Sequence, residues 1–307
     1  MIRRTLKADL LLLFTALVWG AAFVAQRVGM DHVGPFTFNG VRFALGALAL
    51  IPLARYRHSG WLAANPQHLN VTWRQYVPSC LLAGLFLFTG ASLQQVGLQY
   101  TTAGKAGFIT GLYVVLVPLV GRLFGQKTDI LTWLGAILAA AGLYFLSVTE
   151  QFTIASGDLL ELIGAVFWAG HVLLVGRYAT RLEPVTFSIG QFAVCSLLSL
   201  STAGFRETIT NTGLLGAAIP IAYGGLISVG IGYTLQVVAQ KDAPPAHAAI
   251  LLSLESVFAA LMGWLLLNEL MGGRALFGCV LMLAGMLLAQ FGPSPDEKPP
   301  LIGTTGN

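Results

Sequence analysis

Long apolar runs constrain this chain more than any other feature of its sequence. A helix needs about 20 apolar residues to cross the hydrocarbon core of a bilayer. We place ten such runs, near residues 10–30, 36–54, 75–98, 102–123, 130–147, 157–178, 184–205, 214–239, 244–267 and 273–291. The sequence therefore predicts an all-α integral membrane protein with ten transmembrane helices.

Charged residues are scarce, as a hydrocarbon solvent requires. They make up 10% of the 307 residues, against roughly 25% in soluble domains, because an ionised side chain is costly at mid-bilayer. The net charge of +4 comes from basic residues at the ends of the apolar runs, which does not indicate a nucleic-acid partner. Cys80, Cys195 and Cys279 lie inside apolar runs, so we expect buried packing residues rather than disulfides.

Lysine and arginine are distributed unequally between the two sides of the predicted bundle. With the N-terminus in the cytoplasm, twelve of these residues fall on the inner side and four on the outer side. Cytoplasmic loops carry the excess of positive charge. We therefore predict a multi-pass protein of the plasma membrane, the inner membrane of a bacterium, with both termini cytoplasmic. Residues 292–307 are rich in Pro and Gly and are predicted to form a disordered cytoplasmic tail.

The two halves of the chain repeat, with an offset of 149 residues early in the repeat and 142 later. The aligned pairs are Asp9 with Asp158, Trp19 with Trp168, Pro35 with Pro184, Phe43 with Phe192, Pro78 with Pro220, Gly90 with Gly232, and Gln94 with Gln236. Each half holds five runs, an odd number, so the second half must enter the membrane from the opposite face. We predict two inverted five-helix repeats, residues 8–147 and 157–290, an architecture typical of secondary transporters.

Three segments make the chain resemble a known family. The first run reads Ala-Leu-Val-Trp-Gly-Ala-Ala-Phe around Trp19, and the second has Arg42-Phe43 followed by Ala-Leu-Gly-Ala-Leu. The ninth contains Leu254-Glu255 and ends in Asn268-Glu269. With the five-plus-five layout, these segments resemble the EamA-type branch of the drug/metabolite transporter superfamily over nearly the whole chain. Ser256 stands where the family often has a proline, which predicts a straighter ninth helix.

The resemblance implies a secondary transporter of small organic metabolites, amino-acid-like or drug-like, that works by alternating access, and we expect an exporter. It also implies a central cavity walled by helices 1–4 and 6–9, with helices 5 and 10 outside it. Those two helices are rich in small residues, which favours close packing either within the chain or in a homodimer. These residues are Gly135, Ala139, Gly142, Gly278 and Gly285.

Glu255 is the strongest candidate for a substrate-binding residue. It lies about 16 Å along its helix, at 1.5 Å per residue, which is mid-membrane in a core about 30 Å thick. The repeat pairs it with Tyr113, which should therefore also be central. The carboxyl group would bind a cationic group or carry a proton in exchange. The alternative is a hydrogen-bonded acid that only ties helices together.

Other polar and aromatic residues within the runs are further candidates for the cavity wall. Arg42, about 10 Å deep by the same rise, would clamp a carboxylate, unless it pairs with helix carbonyls or reaches outward to the membrane surface. Gln94 and Gln236 suit a polar wall or a contact between helices equally well. Trp19 and Trp168 are candidate flat walls, with interior packing as the alternative.

Three further polar residues have an explanation other than substrate binding, although His171 is kept as a candidate for the cavity wall. His171 breaks the repeat, because it aligns with Ala22, and a break can mark specificity. A satisfied core histidine is nevertheless the favoured interpretation. Asp158 and Glu161 lie in the first turns of a predicted helix, where acids complement the helix dipole and need no further role.

The sequence contains no motif for an enzyme. There is no His-Glu-x-x-His, Gly-x-Ser-x-Gly or Walker motif, so we predict no enzymatic activity, cofactor or metal. The expected partners are a small-molecule substrate and membrane lipid. The alternatives to transport are a membrane scaffold or receptor, or less readily an intramembrane enzyme.

Overall fold

The computed structural model describes residues 2–64, 73–123, 130–147, 154–243 and 245–288, and its regular elements are helices. These are α1 (Ile2–Gly29), α2 (Pro35–Ala64), α3 (Trp73–Gly97), α4 (Ala103–Gly111), α5 (Tyr113–Leu123), α6 (Ile130–Ser147), α7 (Ser156–Tyr178), α8 (Pro184–Arg206), α9 (Asn211–Gly216), α10 (Ala218–Ala222), a π-helix (Tyr223–Tyr233), α11 (Thr234–Gln240), α12 (Pro245–Ser253), α13 (Glu255–Leu267) and α14 (Gly273–Leu288). The predicted tail, 292–307, lies outside the described residues.

Eight helical segments of the described chain are long and apolar enough to cross a membrane. They are Leu6–Gly29, Pro35–Tyr56, Trp73–Gly97, Ala103–Arg122, Ser156–Tyr178, Pro184–Arg206, Ala218–Gln240 and His247–Leu267. Two shorter apolar helices, Trp133–Leu146 and Gly273–Leu288, lie where the fifth and tenth runs were predicted. The prediction of an all-α, multi-pass membrane protein is confirmed, whereas the count of ten crossings stays a prediction.

The bundle buries aromatic and aliphatic side chains between helices of the two halves. The helix α1 packs on α13, α2 packs on α8, and α3 packs on both α7 and α8. Leu12, Phe43 and Phe192 are fully buried at these contacts, whereas Leu81 and Trp264 are exposed on the outside. An apolar outer surface is what a hydrocarbon solvent favours, so the polar residues are left to face the interior.

Two helices are interrupted at positions that the repeat alignment pairs. Leu112 separates α4 from α5, and Leu254, 142 residues later, separates α12 from α13. At both breaks a backbone amide bonds to the carbonyl three residues earlier. The Val115 amide donates to the carbonyl of Leu112 at 2.9 Å, and the Val257 amide donates to the carbonyl of Leu254 at 3.1 Å. The residue that follows each break is one that the sequence placed at mid-membrane, Tyr113 or Glu255.

The ninth helix, expected to be straighter than in the family, is interrupted at Leu254 in the described structure. Two serine hydroxyls bond to backbone carbonyls around this interruption. Ser253 Oγ donates to the carbonyl of Ile250, and Ser256 Oγ donates to the carbonyl of Ser253, both at 2.7 Å. Such bonds compete with the backbone ladder and bend helices, so the interruption does not need the proline.

The helices α6 and α14 pack against each other through glycine. A Cβ atom on Gly278 would collide with the backbone of Gly142 and Leu146, and one on Gly285 would collide with the backbone of Gly135 and Ala139. The small-residue faces of the fifth and tenth runs are therefore used within the chain. This close approach gains van der Waals contact that a bulkier pair of helices could not reach.

We expect Gly278→Ala to destabilise the protein by about 1–3 kcal/mol, because the added methyl group meets backbone atoms that cannot rotate away. Gly204→Ala in α8 is the matched control, since open space surrounds that glycine and alanine there should be neutral or stabilising by up to about 1 kcal/mol. Thermal unfolding of both variants in one detergent measures the difference. Equal melting temperatures would contradict a tight contact between α6 and α14.

Candidate functional site

A narrow cavity lies at the centre of the bundle, beside both helix breaks. Its volume is about 30 Å³, which is room for about two or three water molecules at roughly 10–15 Å³ each. Among the described residues that line it, none belongs to α6 or α14. The cavity brings together all eight residues selected from the sequence: Trp19, Arg42, Gln94, Tyr113, Trp168, His171, Gln236 and Glu255.

The carboxyl group of Glu255 lines the cavity without a charged partner. The residue is 4% exposed, and the ion pairs within the described part of the chain do not include it. Tyr113 lies close to Glu255, and its buried hydroxyl has no hydrogen-bond partner among the described residues. Buried polar groups are normally paired, and the group nearest to each of these two is the other.

Arg42 is the cationic counterpart in the same cavity. It is 2% exposed, so it does not reach outward to the membrane surface. Its Nε donates to Asn39 Oδ1 at 3.0 Å, and its guanidinium carbon lies 4.9 Å from the ring centre of Phe43 and 5.5 Å from that of Phe38. These contacts fix the guanidinium group and stabilise its charge through the ring faces. Within the described residues it pairs with no carboxylate.

Trp19 and Trp168 each pack against a glycine from the opposite half. A Cβ atom on Gly90 would meet the ring of Trp168, and one on Gly232 would meet the ring of Trp19. The two tryptophans are repeat partners, and so are the two glycines. The same contact therefore occurs twice, once in each direction between the two halves.

Gln94 and Gln236 occupy paired positions but have different surroundings. Gln94 Oε1 accepts from Trp168 Nε1 at 3.0 Å, and its Nε2 donates to Gln26 Oε1 at 3.1 Å. Both side-chain atoms of Gln236 are buried without a partner in the described structure, because Trp19 Nε1 donates instead to the Ser228 carbonyl at 3.2 Å. Gln94 is thus a contact between helices, whereas Gln236 offers a donor and an acceptor to the cavity.

His171 agrees with the interpretation as a core histidine, although it lines the cavity. It is 1% exposed, and its Nε2 lies 2.7 Å from Gln191 Oε1. Gln191 is the repeat partner of Arg42, at an offset of 149 residues. The second half therefore holds a neutral pair where the first half holds a charge.

Several cavity residues were missed from the sequence, and Tyr233 is the most central of them. Its ring lies 4.4 Å from that of Trp19 and 6.2 Å from that of Trp168, measured between centroids. It precedes Gln236 by three residues, which places both on one helical face, so this spacing was the available signal. The same spacing relates Thr110 to Tyr113. The other missed lining residues are Ala22, Phe23, Gln26, Val172 and Ser228.

Asp158 and Glu161 do more than complement a helix dipole. Both are fully buried and bind to helix α4 or to the turn before it. Asp158 accepts from Thr101 Oγ1 at 2.5 Å and from Lys105 Nζ at 3.2 Å, and Glu161 Oε2 accepts from Thr110 Oγ1 at 3.1 Å. The prediction that these acids need no further explanation was therefore incomplete, because sequence alone did not show α4 beside them.

The sequence matches the EamA-like transporter family over residues 6–148 and 155–291. The chain belongs to this family. An archaeal relative from Archaeoglobus fulgidus, named an uncharacterized transporter, is 32% identical, with 94% of this chain and 87% of the relative covered. The uncharacterized inner membrane transporter YedA of Escherichia coli K12 is 24% identical over 91% of this chain and 93% of its own.

Two more distant likenesses agree with this assignment. A WAT1-related chloroplastic protein of Arabidopsis thaliana is 24% identical, with 91% of this chain and 68% of that protein covered. A crystal structure at 20% identity has a TM-score of 0.66, covers 92% of this chain and 96% of its own, and shows the shared fold. The EamA membership and these names identify a membrane transporter and point away from an enzyme.

For this EamA protein we expect Trp168→Phe to lower the free energy of unfolding by about 1 kcal/mol, because it leaves the buried Gln94 acceptor without its donor. Trp264→Phe is the control, since Trp264 is 54% exposed on the outer surface. Thermal unfolding in detergent compares the two. If both variants melt alike, the Trp168–Gln94 hydrogen bond does not hold the cavity wall.

Proposed function

We propose that this transporter exports small zwitterionic metabolites, such as amino acids, by alternating access. The observation that carries the proposal is the presence of a carboxyl group and a guanidinium group in one buried cavity, each without an oppositely charged partner. Leaving either charge unpaired inside a bundle is costly. A zwitterion would satisfy both, with its ammonium group on Glu255 and its carboxylate on Arg42, and Trp19, Trp168 and Tyr233 would enclose its apolar part.

The small cavity supports a mechanism in which the bundle opens to load its substrate. About 30 Å³ is far below the roughly 300–1,000 Å³ of a typical ligand pocket. An amino acid therefore fits only when the two halves separate. The interrupted α4–α5 and α12–α13 pairs supply bending points for such a movement, because the regular α-helical hydrogen bonding of each is interrupted beside the cavity.

Two ion pairs related by the repeat support alternating access, because the proposed topology places them on opposite faces of the bundle. Asp158 bonds Lys105 at 3.2 Å, and Asp9 lies 2.7 Å from His247. The two aspartates are 149 residues apart and the two basic residues are 142 apart, so one pair is the image of the other. We propose that opening each face of the bundle breaks the pair on that face and preserves the other, as expected of ten helices in two inverted repeats.

Replacing Glu255 by glutamine keeps the shape of the side chain and removes its charge and its titration. We expect Glu255→Gln to weaken substrate binding by about 2 kcal/mol or more, which is about 30-fold in affinity, and to abolish transport or its dependence on pH. Uptake of amino acids into proteoliposomes between about pH 5 and pH 8 measures the loss. Asp242→Asn, at an exposed turn, is the control and should transport like the unmodified protein.

The contributions of the ammonium end and the carboxylate end of the proposed substrate can be measured separately. Simple amines lack the carboxylate that Arg42 would bind. Arg42→Gln should therefore weaken the binding of amino acids and leave the binding of amines unchanged, whereas Glu255→Gln should weaken the binding of both. Thermal-shift measurements with amino acids, amines and carboxylic acids test this order. If Glu255→Gln transports as well as the unmodified protein over the whole pH range, Glu255 is structural and the site assignment fails.

The proposed orientation places both termini in the cytoplasm and the Asp158–Lys105 pair at the outer face. We expect reporter fusions at Asn307 and at Glu150 to report a cytoplasmic and an external location, respectively, because an even number of crossings returns the chain to its starting side. The measurement is the activity of a fusion that works on one side of the membrane only. An external reporter at Asn307 would contradict ten crossings with a cytoplasmic N-terminus.

A further inference from the structure

Glu161 is a buried acid that does not line the cavity. It is fully buried in α7, and its Oε1 has no hydrogen-bond partner among the described residues. The space around it is tight, since a Cβ atom on Gly97 would lie 3.0 Å from that oxygen. No lysine, arginine or histidine of the described chain pairs with it. An acid in such a place is costly to ionise.

Glu161 lies between the cavity and the ion pair of Asp158 with Lys105. Thr110 lines the cavity and donates its hydroxyl proton to Glu161 Oε2 at 3.1 Å. One helical turn earlier in α7, Asp158 bonds Lys105, whose side chain is 28% exposed. The order from surface to centre is therefore Lys105 and Asp158, then Glu161 with Thr110, then the cavity with Glu255.

We propose that Glu161 is a proton-binding site that connects the face bearing Asp158 and Lys105 with the cavity carboxyl of Glu255. This inference rests on the proposed transport function and supplies its driving ion, so that protons entering from the Asp158 side exchange for substrate. It assigns Glu161 a positioning and proton-carrying role rather than contact with the substrate.

The proton balance is simple, because one O–H bond forms as another breaks. A hydronium ion at the Asp158 face gives its proton to Glu161 Oε1, the oxygen that Thr110 leaves free, and becomes water. The protonated Glu161 then gives a proton to the Thr110 hydroxyl oxygen as Thr110 gives its own hydroxyl proton to a cavity water, and that water passes one to the Glu255 carboxylate. The charge on Glu255 is neutralised, and a bound ammonium group loses its partner and is released.

The charged and titratable groups around Glu161 define what else could account for a pH response. Asp158 lies on the same helix, Lys105 lies on α4, Tyr113 lies on α5, and Glu255 acts from α13. The neighbouring part of α3 contributes Gln94 and Gly97, which do not titrate. Only Glu161 and Glu255 are carboxyl groups without a basic partner in this group, so they are the two sites to separate.

Infrared titration of the full-length protein in lipid vesicles tests the site with the proton itself as the ligand. Between about pH 5 and pH 9, the unmodified protein should show protonated carboxyl bands that Glu161→Gln and Glu255→Gln each remove in part. After a pH jump, the Glu255 band should form more slowly, by at least about tenfold, in Glu161→Gln and in Thr110→Val, since a positioned relay group contributes about 100-fold or more to proton transfer. Thr89→Val, at an exposed threonine that bonds only within its own helix, is the matched control.

The outcomes separate this inference from the proposed function. If no band is lost in Glu161→Gln, or if the Glu255 band forms at the unmodified rate in both variants, Glu161 is only a structural hydrogen-bond acceptor. A second measurement uses vesicles that contain a pH-sensitive dye and a mixture of the common amino acids. Acid added outside should enter faster with amino acids than without them, and Glu161→Gln should remove that difference. If the amino acids have no effect on the unmodified protein, the substrate proposal fails, while the infrared result still decides the role of Glu161.

Discussion

Two buried ionisable side chains without oppositely charged partners set the requirements for the rest of this bundle. Arg42 and Glu255 must be hidden from lipid, because charge in hydrocarbon is costly. The protein surrounds Arg42 with the Asn39 amide and two aromatic faces, which stabilise its charge without neutralising it. Tyr113 lies close to Glu255. Within the described residues neither Arg42 nor Glu255 has an oppositely charged partner, which is the arrangement that the proposed zwitterion binding requires.

The interrupted helices follow from the same requirement. A continuous helix buries its own backbone groups and presents side chains at fixed intervals, whereas a break re-aims the side chain that follows it. Leu112 and Leu254 place such breaks directly before Tyr113 and Glu255. The halves meet there through small residues, since a Cβ atom on Gly107 would collide with that of Ala259. Because α4 and α13 approach closely at these residues, the space between them is narrow.

The sequence predicted those features that depend on length, charge and pairing between the halves. Apolar runs placed the helices, and the eight residues selected as candidates, by depth, by the repeat or, for His171, by a break in it, line one cavity in the described structure. What it missed depends on neighbours from distant segments. Tyr233 was hidden in an apolar stretch that forms a π-helix, and Glu161 was taken as a first-turn acid because nothing in the sequence shows Thr110 beside it. The Ser253 and Ser256 back-bonds were missed for a local reason, since a proline was expected to be needed for the break.

Differences between the halves bear on function more directly than their likeness. A symmetric pair of faces would give two conformations of equal energy, with nothing to favour either. Here Lys105 pairs with Asp158 on one face, and His247 pairs with Asp9 on the other. The two pairs occupy matching positions in the repeats but use different basic residues. Likewise Gln94 is bonded and Gln236 is open toward the cavity. In the proposed alternating-access cycle, the shared architecture would supply two alternative states, and the residues that differ between the repeats would decide which of them a substrate or a proton favours.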